Sequence, residues 1–292
     1  MIDTNLDALA TGAKIRMALP GLSNTERQIA EWLLAKGNVE SKTSIKSVAE
    51  QLEVSEPLIV KLSKKLGFAG FRELRQALVE YLSSLPIDSE QEIEPTDSVE
   101  SVLNKVFANS IQAMKEARSV ADPILIANAA QLIFNAKNVV IFGVGGSAAV
   151  CQDFEHKLLR IGILSRAYSD FHMMLMVSSQ LDENDVIVVI SQSGDTRELL
   201  KAVENAKQRH SRVICITNND TSALAQLADY AIFSPAKGGI LLGQNAVARI
   251  VQLNLLDVLF IAILLQDHDK NREKLTRGSR VVRHLHGKGS VD

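Results

Sequence analysis

The hydrophobic rhythm of the chain changes near residue 99. Up to residue 85, apolar positions recur at helical spacing and no run reads as a strand. Ile29, Trp32 and Leu33 share one face, as do Ile45, Val48, Ala49 and Leu52, and then Ile59, Leu62 and Leu66. Ser23 and Glu26 have the spacing of a capping box. A second helix stops at Glu53-Val54-Ser55, and a third runs from Glu56 to Leu66. Ser55 is its natural N-cap, Pro57 is tolerated where its missing N–H would be unpaired, and Gly67 closes it. Residues 83–98 are polar and acidic with two prolines, the composition of a linker.

From Val99 a long helical lead-in extends to Asn135, and short apolar runs then alternate with amphipathic ones. Strands are predicted at 138–142, 163–168, 186–190, 212–217 and 230–233, with helices at 148–160, 171–180, 196–209 and 222–228. Val186–Ile190 is β-branched throughout and reads as a strand buried on both faces. Such alternation implies a parallel sheet covered by helices. The predicted organisation is an all-α domain over 1–85, a linker over 86–98 and an α/β domain over 99–292. One long apolar helix is expected at 244–266, and a frayed, basic, then glycine-rich tail from Arg277 to Asp292.

Composition narrows this picture. The 292 residues suffice for two domains with real cores. At a formal charge of −2, any nucleic acid must be met by a local basic patch. Cys151 and Cys215 are too few for a disulfide framework and read as buried free thiols in a reducing cytoplasm. The first six residues lack the features of a signal peptide. Ile250 to Leu265 is interrupted by Gln252, Asn254 and Asp257 and is short for a membrane span, so it reads as a buried interface helix. His284 and His286 match no metal motif; no metal and no cofactor are expected.

Two turns carry candidate chemistry. Ser191-Gln192-Ser193-Gly194-Asp195-Thr196 follows the 186–190 strand and precedes a helix. Hydroxyls and backbone N–H groups at a helix N-terminus suit a phosphate without adding a full charge. Gly143-Val144-Gly145-Gly146-Ser147 follows another apolar strand in the same way, and two such turns in one sheet point to a small phosphorylated ligand. In the first domain, the third helix presents Pro57, Lys61 and Lys64 outward, flanked by Leu58 and Lys65. Between Lys61 and Arg75 five basic residues (Lys61, Lys64, Lys65, Arg72, Arg75) face one acid, Glu73. Two short helices joined by a tight turn, the second cationic outside, fit a helix-turn-helix with its recognition helix in the major groove. The same periodicity also suits a solvated bundle used for dimerisation.

The segments Ile45–Glu56 and Val60–Leu74, with the turn Val54-Ser55-Glu56 and the ending Leu66-Gly67-Phe68-Ala69-Gly70-Phe71, resemble the RpiR family of bacterial transcription regulators. The resemblance covers about 95% of the chain. It implies that Ser55, Glu56, Pro57, Leu58, Lys61, Lys64 and Lys65 meet double-stranded operator DNA. The second half resembles a SIS (sugar isomerase) domain. That resemblance implies that Ser191, Gln192, Ser193 and Thr196, with Gly194, hold a ligand phosphate while Gly145, Gly146 and Ser147 reach the ligand from the other turn. The stretch Leu241-Leu242-Gly243-Gln244-Asn245-Ala246, Ala248-Arg249-Ile250 and Gln252-Leu253 resembles the member that represses a ribose-5-phosphate isomerase and allose genes. This favours ribose 5-phosphate or allose 6-phosphate as effector. Pro57 and Leu58 stand where many members have Ala-Thr, and Lys61 where many have Arg, so the operator cannot be borrowed from them.

An isomerase would need a positioned base. His172, Glu155 and Asp170 are candidates, and Lys237 lies in 233–241, where no carboxylate stands in the place SIS isomerases often give a catalytic glutamate. Asp170 and His172 also suit contacts to sugar hydroxyls or a structural role. Asn245 and Arg249 suit a structural or interdomain contact, and Asp257 a hydrogen-bonded acid at a dimer interface. The reading is a cytoplasmic repressor, homodimeric or homotetrameric, with no membrane partner. An activator with the same parts and a phosphosugar isomerase with a helical appendage are the rivals.

Overall fold

The computed structural model of the chain describes residues 6–85, 93–236 and 246–283. These cluster into two compact units. The described residues within Met1–Ala121, Asn218–Ser222 and Phe233–Val251 form one, and those within Asp122–Thr217, Ala223–Ile232 and Gln252–Asp292 the other.

The first unit is built from α1 (Leu6–Ala18), α2 (Asn24–Leu34), α3 (Ile45–Gln51), α4 (Glu56–Lys65), α5 (Phe71–Ser84) and α6 (Val99–Val120). The capping box at α2 is present: Ser23 N donates to Glu26 Oε2 at 2.9 Å, and Glu26 N donates to Ser23 Oγ at 3.3 Å. Ser44 caps α3 through Ser47 N. Ile29, Leu33, Val48, Ile59 and Leu62, on the inward faces that the periodicity predicts, meet Leu74, Leu78 and Tyr81 of α5 in one core. Two helices escaped the sequence reading. α1 carries its buried residues Ala13, Ile15 and Met17 without a clean amphipathic period, and α5 follows a weak start at Gly70.

α6 packs along α1, which places it in the first unit, on the head side of the boundary expected at 99. A buried polar knot accounts for this. Arg16 Nε of α1 donates to Glu116 Oε2 of α6 at 2.9 Å, and Arg16 Nη2 donates to the Tyr81 hydroxyl of α5 at 3.0 Å. That hydroxyl donates to Glu116 Oε1 at 2.7 Å, and Gln112 Nε2 to the same oxygen at 3.0 Å. Asp97, Ser98 and Lys105 fix the start of α6, with Asp97 receiving both the Lys105 ammonium and Glu94 N–H. The lead-in is therefore two helices. Asp122 caps α7 (Pro123–Asn135) through Ile124 N and Leu125 N, and Pro123 at its start ends α6 as a continuous helix.

The second unit holds a sheet in the order β2-β1-β3-β4-β5, parallel from β2 to β4. Its strands are β1 (Val139–Phe142), β2 (Ser165–Tyr168), β3 (Val186–Ile190), β4 (Arg212–Thr217) and β5 (Tyr230–Phe233). Between them run α8 (Gly146–Arg160), α9 (Phe171–Ser178), α10 (Arg197–Lys207) and α11 (Ala223–Leu227). β3 is buried at every position, as its unbroken β-branched run predicts. The chain then enters α12 (Ala246–Leu264) and, through a short 3-10 turn, α13 (His268–Arg283). The tail expected to fray from Arg277 is thus helical as far as Arg283, because its residues continue the amphipathic period of α13. His284 and His286 lie outside the described residues. The run Ala246–Val281 has the length and composition of a membrane span, yet half of its most apolar stretch is buried within the molecule. Val251, Leu256, Leu259 and Ile263 are at most 1% exposed, as in a core helix.

Candidate functional site

The head presents α3 and α4 joined by a tight turn. Leu52 ends α3, Glu53 takes a left-handed conformation (φ 53°), and Ser55 begins α4. Ile59 and Leu62 are fully buried, which turns Ser55, Glu56, Pro57, Lys61 and Lys64 to solvent and leaves Leu58 half-buried. Ser55 makes no capping bond with its side chain. Lys65 differs from its neighbours: its ammonium binds Glu26 Oε2 at 2.9 Å and Gly21 O at 3.3 Å. The Ser23 N–H and this ammonium hold the Glu26 carboxyl down at about 2. Arg75 likewise donates to Thr43 O at 2.9 Å. Of the five basic residues in this stretch, Lys61, Lys64 and Arg72 stay exposed without an ion pair among the described residues.

In the second unit, β1 lies between β2 and β3, so the strand order reverses at the β1/β3 boundary. Crevices at the carboxyl ends of strands at such a switch are where open α/β sheets bind ligands. Both glycine-hydroxyl turns leave the sheet there. After β1, Gly145 (φ 56°) is the N-cap of α8 without a side-chain bond, followed by Gly146 and by Ser147, which is 8% exposed. After β3, Gly194 (φ 70°) lets the chain double back, and its N–H donates to Ser191 Oγ at 3.2 Å. Ser191 Oγ lies 3.3 Å from Thr196 Oγ1, and Thr196 begins α10 without a side-chain cap. Ser193 Oγ accepts from Asp195 N at 3.3 Å and is exposed. Gln192 Oε1 is buried and makes no hydrogen bond. A buried orphan of this kind costs about 1–3 kcal/mol until a partner arrives.

Two residues without an assigned role in the sequence hold this turn. Thr217 Oγ1, at the end of β4, donates to Gln192 O at 3.3 Å, and Asp195 accepts from Ala223 N at 2.9 Å. Both bonds join positions far apart in sequence, so spacing carries no sign of them.

Similarity to known proteins falls in two parts of the chain. Residues 10–85 match the helix-turn-helix domain of the rpiR family, and residues 132–262 match the SIS domain. The HTH-type transcriptional regulator RpiR of Escherichia coli K12 is 44% identical over 249 residues, covering 85% of this chain and 84% of the relative. HexR of Pseudomonas aeruginosa, also an HTH-type transcriptional regulator, is 31% identical, covering 87% and 88%. This chain belongs to the RpiR family. It is a helix-turn-helix transcriptional regulator with a SIS domain. Among solved structures, the Vibrio vulnificus NanR protein complexed with ManNAc-6P shares the fold at TM-score 0.60 and 23% identity, covering 95% of this chain and all of that one.

In this RpiR-family chain two of the secondary candidates, Asp170 and Asp257, have structural work. Asp170 caps α9 by accepting from Met173 N at 2.9 Å, and His172 is exposed beside Phe171. Asp257, expected at an interface, pairs with Lys157, which also binds Asp153. Glu155 is half-buried on α8, and Arg249 is exposed on α12. Lys237, Asn245 and the stretch Leu241–Asn245 lie outside the described residues. Burial pushes both thiols, Cys151 and Cys215, up to about 12, as buried free thiols require. A cleft of about 770 Å³ opens elsewhere, between β2 and α9, and its apolar lining (Val140, Leu164, Met173, Met176) includes none of the turn residues.

Proposed function

We propose that this regulator is a cytoplasmic repressor of sugar-catabolism genes whose operator affinity is set by a sugar phosphate. The reading places the phosphate on Ser191, Gln192, Ser193, Gly194 and Thr196, with Gly145, Gly146 and Ser147 approaching the sugar. What carries it is the pairing of the two glycine-hydroxyl turns at the switch between β1 and β3, with an unsatisfied Gln192 amide oxygen beside them. A sugar hydroxyl is the natural donor for that oxygen, and the neutral hydroxyls are the natural donors to a phosphate. NanR, complexed with ManNAc-6P, supports this ligand class. The resemblance of the 241–253 stretch to the member that represses a ribose-5-phosphate isomerase and allose genes favours ribose 5-phosphate or allose 6-phosphate within it. Operator contacts fall to Ser55, Glu56, Pro57, Leu58, Lys61 and Lys64, with Lys65 supporting them from its bond to Glu26.

The test has two arms. Thermal unfolding is followed across a panel of aldose and ketose phosphates, where a ligand at 100 times its Kd stabilises by about 2.7 kcal/mol. Sequences bound from a random pool of double-stranded DNA are selected, and the hit phosphate is titrated against the selected duplex. Release of the duplex by one phosphate supports the proposal. A panel without any stabilising phosphate, or a hit that leaves DNA affinity unchanged, overturns it.

A further inference from the structure

The surface of α6 opposite the buried knot carries an apolar stripe with no cover among the described residues. Val99 is 85% exposed, Leu103 55%, Phe107 64% and Ile111 44%, at successive four-residue steps. Isolated exposed apolar residues are ordinary, but an ordered row on a single helix face marks a contact surface. Charge frames it. Glu100 lies in the first turn of α6 and Arg118 in the last, both exposed on this same face. Neither has an ion-pair partner among the described residues.

We infer that α6 pairs antiparallel with α6 of a second copy of this chain, about a two-fold axis level with Asn109. That register sets Phe107 against Ile111 of the second copy, and Glu100 against its Arg118, each contact occurring twice, while Leu103 and Val99 fall toward the ends, level with its Lys115 and Ser119. The distribution is self-complementary only in the antiparallel sense, since a parallel pair would set acid on acid and base on base. An isologous two-fold contact needs this property. Helices meeting along such a face approach to about 8–10 Å, close enough for Phe107 and Ile111 to interlock. The opposite face of α6 holds α1 and α5 through Arg16, Glu116 and Tyr81, so the pairing fixes one head relative to the other. Helix-turn-helix proteins reading two half-sites need this spacing.

The test uses the full chain, whose own thiols are buried at Cys151 and Cys215. The double variant Phe107→Cys/Ile111→Cys should give a disulfide-linked dimer under mild oxidation about tenfold or more faster than Val99→Cys, although Val99 is the more exposed. Glu100→Arg and Arg118→Glu should each weaken dimerisation in sedimentation by about tenfold, with both like-charge pairs facing each other. The combined swap Glu100→Arg/Arg118→Glu should restore it. Linkage no faster than at Val99, or a swap no better than its single variants, overturns the pairing. Equal linkage at Val99 and at the 107/111 pair shows random collision and overturns it as well.

Discussion

Ser193 and Glu26 show how far one side chain can be followed. Ser193 stands exposed at the rim of the turn whose interior is tied by Ser191 and Thr196. Ser193→Ala removes one donor to a charged ligand, about 1.5–3 kcal/mol, while the turn keeps its Ser191 bonds. Effector affinity measured by calorimetry should fall roughly ten- to a hundredfold, with duplex binding in the absence of effector unchanged. Glu26 makes a different prediction. Its carboxyl is lowered from 4.5 to about 2, first by the Ser23 N–H and then by Lys65. A lowered folded value means its stabilisation is fully present above pH 4.5 and lost as pH falls through about 2. In denaturant unfolding, Glu26→Gln should therefore be less stable than wild type at pH 7, and the gap should close progressively below pH 4.5. A gap that persists unchanged at pH 2 would assign the effect to packing.

At the scale of elements, α4 and α6 separate a surface role from a buried one. Lys61 and Lys64 lie on the solvent face of α4, opposite the buried Ile59 and Leu62. Replacing both with Ala should leave the melting temperature near wild type and weaken binding to the selected duplex by at least about tenfold. The salt slope should fall by roughly 0.9 for each phosphate no longer neutralised. An unchanged slope in the folded variant would move the DNA surface off α4. Glu116 is the reverse case, at 1% exposure and bonded to Arg16, Tyr81 and Gln112. Breaking a buried pair by removing one partner strands the other charge, so Glu116→Ala should cost about 3–5 kcal/mol in denaturant unfolding. Restoring an apolar match with Arg16→Met should recover part of that loss.

For the whole molecule, the proposed function requires a regulator that reads DNA with its head and senses a phosphate with its SIS domain to link two equilibria. Whatever factor the effector takes from operator affinity, the operator takes from effector affinity. Measuring both factors at one salt concentration checks this, and unequal values would show a further linked process such as a change of oligomeric state. Ile250, Val258 and Ile261 of α12, with Leu265 just past its end, are 41–60% exposed along one side, too apolar a surface for a solitary chain. The full chain should therefore sediment as a dimer or larger at micromolar concentration. A stable monomer there would contradict both this and the pairing of α6.

Periodicity and short motifs alone determined the five strands of the sheet and the helices between them, the buried faces of α2, α3 and α4, and the two glycine-hydroxyl turns. Each of these rests on local physics: helical or extended spacing, capping, and the need for glycine where φ is positive. Long-range pairing lay beyond such signals. Strand order, and with it the placing of both turns at one switch point, depends on β1 inserting between β2 and β3. The attachment of α6 to the head depends on Arg16 finding Glu116 one hundred residues away. Only the folded chain separates Lys61 and Lys64 from Lys65 and Arg75, since residues equally basic in sequence differ in what lies beside them: solvent for the first pair, Glu26 and the Thr43 carbonyl for the second.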